Sequence, residues 1–309
     1  MMLYRSPAGV TGRANSPFPR GYIAAHPTLG YASAAPGSFH TVKRVGDRVI
    51  YETDYTITHA LYRDTPQSSP SGPTTVFFGC SFTFGEGLAD NETLPYHYRA
   101  LIEGDHRVIN LGFHGYGPHH MLKALEDGTY AAAIGRNVKA VVLQTAAFHI
   151  SRVAGIDGHP SNPRFKLAGG GAVFAGPMYS LSDRLLQKML NQGFATSRFI
   201  KPIFFHVMVT AEDVSLYVAI LKKANEIIRA QYGIPLTVLY LDGYDEDVSG
   251  IGLNDAKIRG LVEAEGLKVI EAGLRESPPS LLRIPGDGHP TSLANELRAE
   301  ILYAALNRR

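Results

Sequence analysis

The stretch FFGCSFTFGEG, residues 77 to 87, sets the only cysteine of the chain, Cys80, directly before Ser81 in a glycine-rich turn. Two candidate nucleophiles therefore stand side by side, and either could attack an acyl carbon if a neighbouring base took its proton. The tetrapeptide DGHP occurs twice, at Asp157 to Pro160 and at Asp287 to Pro290, and each copy offers a histidine with a carboxylate two residues before it. Their surroundings differ. The first runs on into SNPRF within a Gly- and Pro-rich region, whereas the second follows LLRIPG and leads into a helix with Thr291 or Ser292 as its N-cap. Ser81 alone could also be a turn cap, since the G-x-S-x-G elbow is absent.

These residues need a frame to hold them, and the hydrophobic pattern supplies one. From residue 73 onward short apolar runs alternate with amphipathic segments, the pattern of a parallel sheet covered by helices on both faces. Strands are expected at Thr75 to Gly79, Val108 to Phe113, Ala140 to Thr145 and Leu236 to Leu241, with weaker runs at Lys268 to Glu271 and Leu281 to Ile284. Helices are expected from about Leu94, over Glu212 to Tyr232, where Val214, Tyr217, Leu221, Ala224 and Ile228 share a face, and over Ser292 to Leu306. Asp90, Asn91 and Glu92 read as the cap of the helix after the serine turn. Ser81 then falls just past the C-terminal end of the first strand, at the crevice where open parallel sheets bind ligands.

Residues 1–72 read as an appendage: coil over about the first 40 residues, then a β-hairpin with Val49, Tyr51, Tyr55 and Ile57 on one face and Gly46-Asp47 at its turn, then a linker at Thr65 to Pro73. Residues 73–309 form the main domain, interrupted by a Gly- and Pro-rich insertion over 148–200.

Composition narrows the function. The chain has 309 residues, 45% of them hydrophobic, enough for a sizeable core, and its net charge of +2 with scattered basic residues gives no electrostatic case for nucleic acid. One cysteine excludes an intrachain disulfide and a cysteine-based zinc site. Nothing approaches 18 consecutive apolar residues, and the first 19 lack the apolar core of a signal peptide. The expectation is a cytoplasmic protein, or one of the cell envelope or secreted if residues precede Met1. His114, His119 and His120 are close in sequence, but no carboxylate cluster accompanies them, and a structural or substrate-facing role is expected rather than a metal. No nucleotide-binding loop is present, so no cofactor is expected, and nothing in the sequence sets an oligomeric state.

The serine stretch resembles the first block of the SGNH hydrolases, the GDSL esterase and lipase superfamily: Gly79, Cys80, Ser81, Phe82, Thr83 and Gly85 follow that block's order, with Cys80 where the family usually has Asp. VINLGFHGYG, residues 108 to 117, is similar to the second block, with Gly115 at the family's glycine. DGHP at 287 to 290 stands where the family carries its last block. The resemblance implies a three-layer α/β/α fold with a central parallel sheet and the β-rich appendage added in front. It also implies ester hydrolysis through Ser81 as nucleophile, His289 as base in preference to His159, and Asp287 as the acid, with Cys80 turned away as a small hydrophobe. The family acid usually sits three residues before the histidine, where this chain has Gly286. Backbone N–H groups of Ser81 and Gly115 would hold the oxyanion.

In the family's third block an asparagine adds a further donor. Along VVLQTAAFHISR, residues 141 to 152, Phe148 takes that position and cannot donate, leaving His149 or Gln144 as substitutes. The substrate implied is a small-molecule or carbohydrate O-acyl ester, O-acetyl sugars among them. Two other readings of the same resemblance are a polysaccharide O-acyltransferase and a catalytically weak carbohydrate-binding protein.

Overall fold

The computed structural model describes residues 15–179 and 209–307. Five strands form one parallel sheet: β5 (Thr74–Phe78), β6 (Arg107–Asn110), β7 (Val138–Thr145), β10 (Leu236–Tyr240) and β11 (Lys268–Glu271), in the order β11-β10-β7-β5-β6. Strand β5 pairs with β6 on one side and β7 on the other, so it is an inner strand with both faces covered. All five of its residues are buried, which is why TTVFF is a continuous apolar and threonine run without alternation.

Successive residues of each strand feed opposite layers. Val76, Phe78, Val141, Leu143, Val238 and Tyr240 face one core, and Phe77, Val142 and Leu239 face the other. The helices follow in chain order as α1 (Ser81–Phe84), α2 (Leu94–Ala100), α3 (Pro118–Glu126), α4 (Ala131–Ile134), α5 (Phe148–Val153), α6 (Ala211–Tyr232), α7 (Glu246–Ser249), α8 (Asp255–Ala264), α9 (Pro279–Leu282) and α10 (Ser292–Asn307), counted among the described residues. Helices α3 and α6 supply the first core, through residues such as Met121, Leu122, Tyr217 and Leu221. Helices α2 and α10 supply the second, through Leu94, Tyr98, Ala299 and Leu302. The result is the expected three-layer α/β/α arrangement.

In front of the sheet lie two antiparallel hairpins, β1 (Ile23–His26) with β2 (Gly30–Ser33), and β3 (Gly37–Val45) with β4 (Arg48–Ile57). The second matches the expected hairpin. The first corrects the expectation of coil before residue 40: it is short, and its inward side is made by Leu29 and Ala32 with Tyr22 just ahead of it, a pattern too brief to read as period two. Expected strand Leu281 to Ile284 is instead the helical turn α9, started by Pro279 at its first position, followed by a single bridge from Arg283 to Pro290. Asp90 to Glu92 form a separate 3₁₀ turn, and Thr93 caps α2 through its hydroxyl. Asp90 is engaged elsewhere, accepting from Nε of the fully buried Arg63 at 2.7 Å. Within 148–200, helix α5 is followed by a hairpin of β8 (Pro163–Ala168) and β9 (Gly171–Pro177). Residues 180–200 of the insertion and 1–14 of the appendage lie outside the described residues.

Strand β6 stops at Asn110, short of the expected Phe113, because the next residues turn back against α1. A Cβ on Gly112 would lie 2.6 Å from the Phe84 amide nitrogen and 2.7 Å from the Thr83 Cβ. Asn110 ties the two loops together, donating to the Thr83 carbonyl at 3.0 Å and accepting from the Gly112 N–H at 3.1 Å. Gly112→Ala is therefore expected to destabilise the protein by about 1–3 kcal/mol, as overpacking against backbone does. Urea denaturation measures it, and an unchanged midpoint would contradict so close an approach.

Candidate active site

Ser81 is the first residue of α1, delivered by the inner strand β5 through Gly79 and Cys80. Glycine is needed at 79, since a Cβ there would meet the Thr83 Oγ1 at 2.0 Å. The Thr83 hydroxyl in turn donates to Gln144 Oε1 at 2.6 Å, fastening the turn to the end of β7. Cys80 is buried, packs in the α2/α10 core with Phe77, Leu94 and Val142, and places its Sγ 3.5 Å from the Phe82 N–H as the N-cap of α1. Its thiol points into the core.

The chain brings Ser81, Asp287 and His289 together across 208 positions. His289 Nε2 lies 2.9 Å from Ser81 Oγ, and its Nδ1 is hydrogen-bonded to Asp287 Oδ2. The same carboxylate oxygen accepts the His289 backbone N–H at 3.2 Å. A carboxylate only two residues ahead of the ring reaches it because the backbone doubles back: Gly286 and Gly288 have φ of +83° and +95°, a region other residues rarely enter. His159, by contrast, lies exposed on its loop with its ring 5.2 Å from that of Tyr31.

Two further charged groups and His114 complete the cluster; the sequence pointed to His114 as structural or substrate-facing and singled out neither Lys43 nor Glu86. Lys43, from the N-terminal hairpin, forms an ion pair with Asp287 Oδ1. Glu86, five residues after the serine, places Oε2 3.7 Å from His289 Nε2 and 2.7 Å from His114 Nδ1, while its Oε1 accepts from the Tyr51 hydroxyl at 3.2 Å. His114 Nε2 is 2.9 Å from the Tyr22 hydroxyl. One signal was available: a glutamate within the apolar stretch FFGCSFTFGEGL, where burial of an acid demands a partner. Lys43 carried no such mark, because it alternates along a hairpin as any solvent-facing residue would.

The cluster's electrostatics follow from its composition. Burial disfavours the Glu86 carboxylate, but His289 and His114 outweigh it and hold its pKa well below the usual range. Burial acts the same way on Asp287, and His289 and Lys43 prevail, so its pKa is also lowered. At His289 burial opposes the cation, yet Glu86 and Asp287 overcome both burial and Lys43, and its pKa is raised. At His114 burial wins over Glu86 and keeps the ring neutral, with Nδ1–H donating to Glu86 and Nε2 accepting from Tyr22. Among the described residues Glu86, Asp287 and His289 are the one group of ligand-type side chains close enough to share a metal ion. Lys43 and Ser81 already engage Asp287 and His289, an arrangement suited to proton transfer.

Gly115 has φ +71°, and Tyr31 packs against it, with its hydroxyl 2.6 Å from where a Cβ would stand. The same hydroxyl donates to the His114 carbonyl at 2.7 Å. That carbonyl and the Gly115 N–H belong to one trans peptide and point opposite ways, so Tyr31 fixes the direction of the N–H. His149 is buried, with Nδ1 2.8 Å from Thr145 Oγ1 and 3.4 Å from the Ala146 N–H, and its Nε2 has no hydrogen-bond partner. Burial pushes its pKa well below the ordinary value and keeps the ring neutral, and an Nδ1 that accepts from the Ala146 N–H leaves the proton to Nε2. Its Cδ2 lies 3.6 Å from the Cβ position of Gly117, on the loop that carries Gly115. Phe148 does not replace the family's asparagine as a donor; its ring lies against Phe82 and Tyr244. Gln144 Nε2 is buried without a partner, and its Oε1 is taken by Thr83. His119 and His120 pack beside one another, both with lowered pKa, His119 to about 3, burial being the main cause.

No family model and no curated protein matches the chain. It is similar to solved structures of a member of the lipolytic G-D-S-L family from Veillonella parvula (15% identity, TM-score 0.43, covering 77% of this chain and 100% of that one), of a carbohydrate acetylesterase family member from Sinorhizobium meliloti (12%, 0.43, 76% and 97%), and of a catalytic mutant of an acetylxylan esterase from Geobacillus stearothermophilus (14%, 0.44, 79% and 98%).

The two charges that flank His289 should move its titration in opposite directions. Glu86→Gln is expected to lower the His289 pKa and Lys43→Met to raise it, followed by NMR of the ring carbons. Shifts of the same sign in both variants would refute this account of the cluster.

Proposed function

We propose that the chain is a serine ester hydrolase of the SGNH type acting on O-acyl esters. The observation that carries the reading is the buried hydrogen-bonded run from Ser81 Oγ through His289 to Asp287. Ser81 Oγ attacks the acyl carbon while His289 Nε2 takes its proton. Asp287 holds Nδ1–H, fixing the tautomer and stabilising the imidazolium. The negative charge that develops on the carbonyl oxygen meets the N–H groups of Ser81 and Gly115, with His149 Nε2–H as a third donor in place of the family's asparagine. As the tetrahedral intermediate collapses, His289 returns the proton to the leaving alkoxide. Water, activated by the same histidine, then cleaves the acyl enzyme. Lys43 balances the Asp287 charge, and Glu86 favours the imidazolium.

The substrate class follows the same reasoning. The buried Phe82 ring, 5.4 Å from that of His289, backs the partly exposed rings of Phe148 and Tyr244, which offer an apolar face to a sugar ring. Carbohydrate O-acetyl esters are the substrates we would try first.

A fluorophosphonate probe should add once, at Ser81, and Ser81→Ala should abolish both labelling and hydrolysis of p-nitrophenyl acetate, while Cys80→Ala retains both. Labelling that survives in Ser81→Ala would end the reading. Tyr31→Phe, which releases the peptide bearing the Gly115 N–H, should lower kcat by about 10-fold or more with little change in KM, the pattern of a donor used mainly in the transition state. An equal rise in KM with kcat preserved would place Tyr31 in ground-state binding instead.

A further inference from the structure

Arg298, on α10, is 2% exposed. Its Nε donates to the Ala272 carbonyl at 3.2 Å, but Nη1 is buried without a hydrogen-bond partner, and no carboxylate among the described residues forms an ion pair with it. A guanidinium in such a place is costly, because a buried charge needs a counter-charge. Elsewhere the fold meets that need: buried Arg63 has Asp90, Lys43 has Asp287, and Arg259 and Arg275 share Asp242. Arg298 is instead neighboured by a second cation. Arg283 is exposed and stands over the Tyr244 ring at 4.6 Å from its centroid, with its guanidinium 3.5 Å from the Gly243 carbonyl. The Tyr244 side chain lies near enough to Arg298 to favour its charged form against burial, while Arg283 opposes it. Arginine has no acceptor, so a tyrosine hydroxyl beside it keeps its own proton to donate to a ligand.

These groups border the proposed active site. Arg283 is bridged through its backbone to Pro290, the residue after His289. The Tyr244 ring is 5.6 Å from that of Phe82, the residue after Ser81, and 5.6 Å from that of Phe148. Two positive charges with no carboxylate partner among the described residues, one of them in a low-dielectric interior, thus lie behind the Tyr244 and Phe82 rings that lead to the serine turn, and such a field favours negative charge.

We propose that Arg283 and the Tyr244 hydroxyl, backed by Arg298, bind a carboxylate of the substrate, so that the preferred esters are those of acidic sugars. This rests on the hydrolase reading for the word substrate, but the anion site itself can be tested without turnover. With Ser81→Ala protein, binding of methyl galacturonide and of methyl galactoside, which differ in the carboxylate, is compared by NMR titration at low and moderate salt. The uronide should bind at least about tenfold more tightly at low salt, the preference should weaken with salt, and Arg283→Met should bring the ratio close to one. Equal binding of the two sugars, or a preference that survives Arg283→Met, would overturn the proposal. Arg298→Met is a second variant, expected to reduce the ratio while Tyr244 stays in place. If the uronide is preferred but wild-type protein hydrolyses no acetyl ester and takes up no fluorophosphonate, the hydrolase reading fails and the anion site stands.

Discussion

The ion pair between Lys43 and Asp287 is the constraint from which much of the molecule can be understood. A carboxylate with no exposure can stay ionised only if positive charge is brought to it. His289 supplies a share of that charge only while protonated, and a base must be neutral to act. Lys43 supplies it permanently. The hairpin of β3 and β4 thus supports the site chemically. It also brings Tyr51 to Glu86 and the Tyr55 hydroxyl to the Gly87 N–H at 2.7 Å, so that one element braces both the serine loop and the histidine loop.

Glu86 and Asp287 flank one imidazole from opposite sides, and their effects are not equivalent. Asp287 bonds to Nδ1 and sets the ring's orientation, whereas Glu86, near Nε2, acts through its charge and is itself held by His114 and Tyr51. The buried chain from Tyr22 through His114 to Glu86 has a partner at each step, which is what keeps an acid at this depth tolerable.

Much of the frame was legible in the sequence, because it depends on local pattern. The strands β5, β7 and β10 announce themselves as short apolar runs, and α6 as a stripe at three- and four-residue spacing. Ser81 and His289 stood out by their position at a strand end and before a capped helix. The ion-pair network did not, because nothing local distinguishes Lys43 from a solvated lysine or tells Tyr51 from any other inward residue of a hairpin. The Gly286 and Gly288 turn is an intermediate case: the glycines were visible, but that their left-handed conformation would carry Asp287 onto the ring depends on two dihedral angles that spacing does not encode. Nothing in the sequence marked Arg298, which is buried because α10 packs against α2, β11 and α9.

Lys43 and Asp287 are 244 positions apart, and Ser81 and His289 are 208 apart. Contacts of such long range form late, since the chain must first lose the entropy of closing a large loop. The sheet can assemble around β5 and β7 while the serine has no base and the hairpin lysine has no acid. Closure of the Ser81–His289–Asp287 cluster is therefore expected in a late docking step, when the loop before α10 settles between the serine turn and the hairpin. A chain halted before that step would have most of its architecture without the Ser81–His289–Asp287 contacts, so a perturbed His289 titration would mark that step more sharply than any measure of helix or strand content.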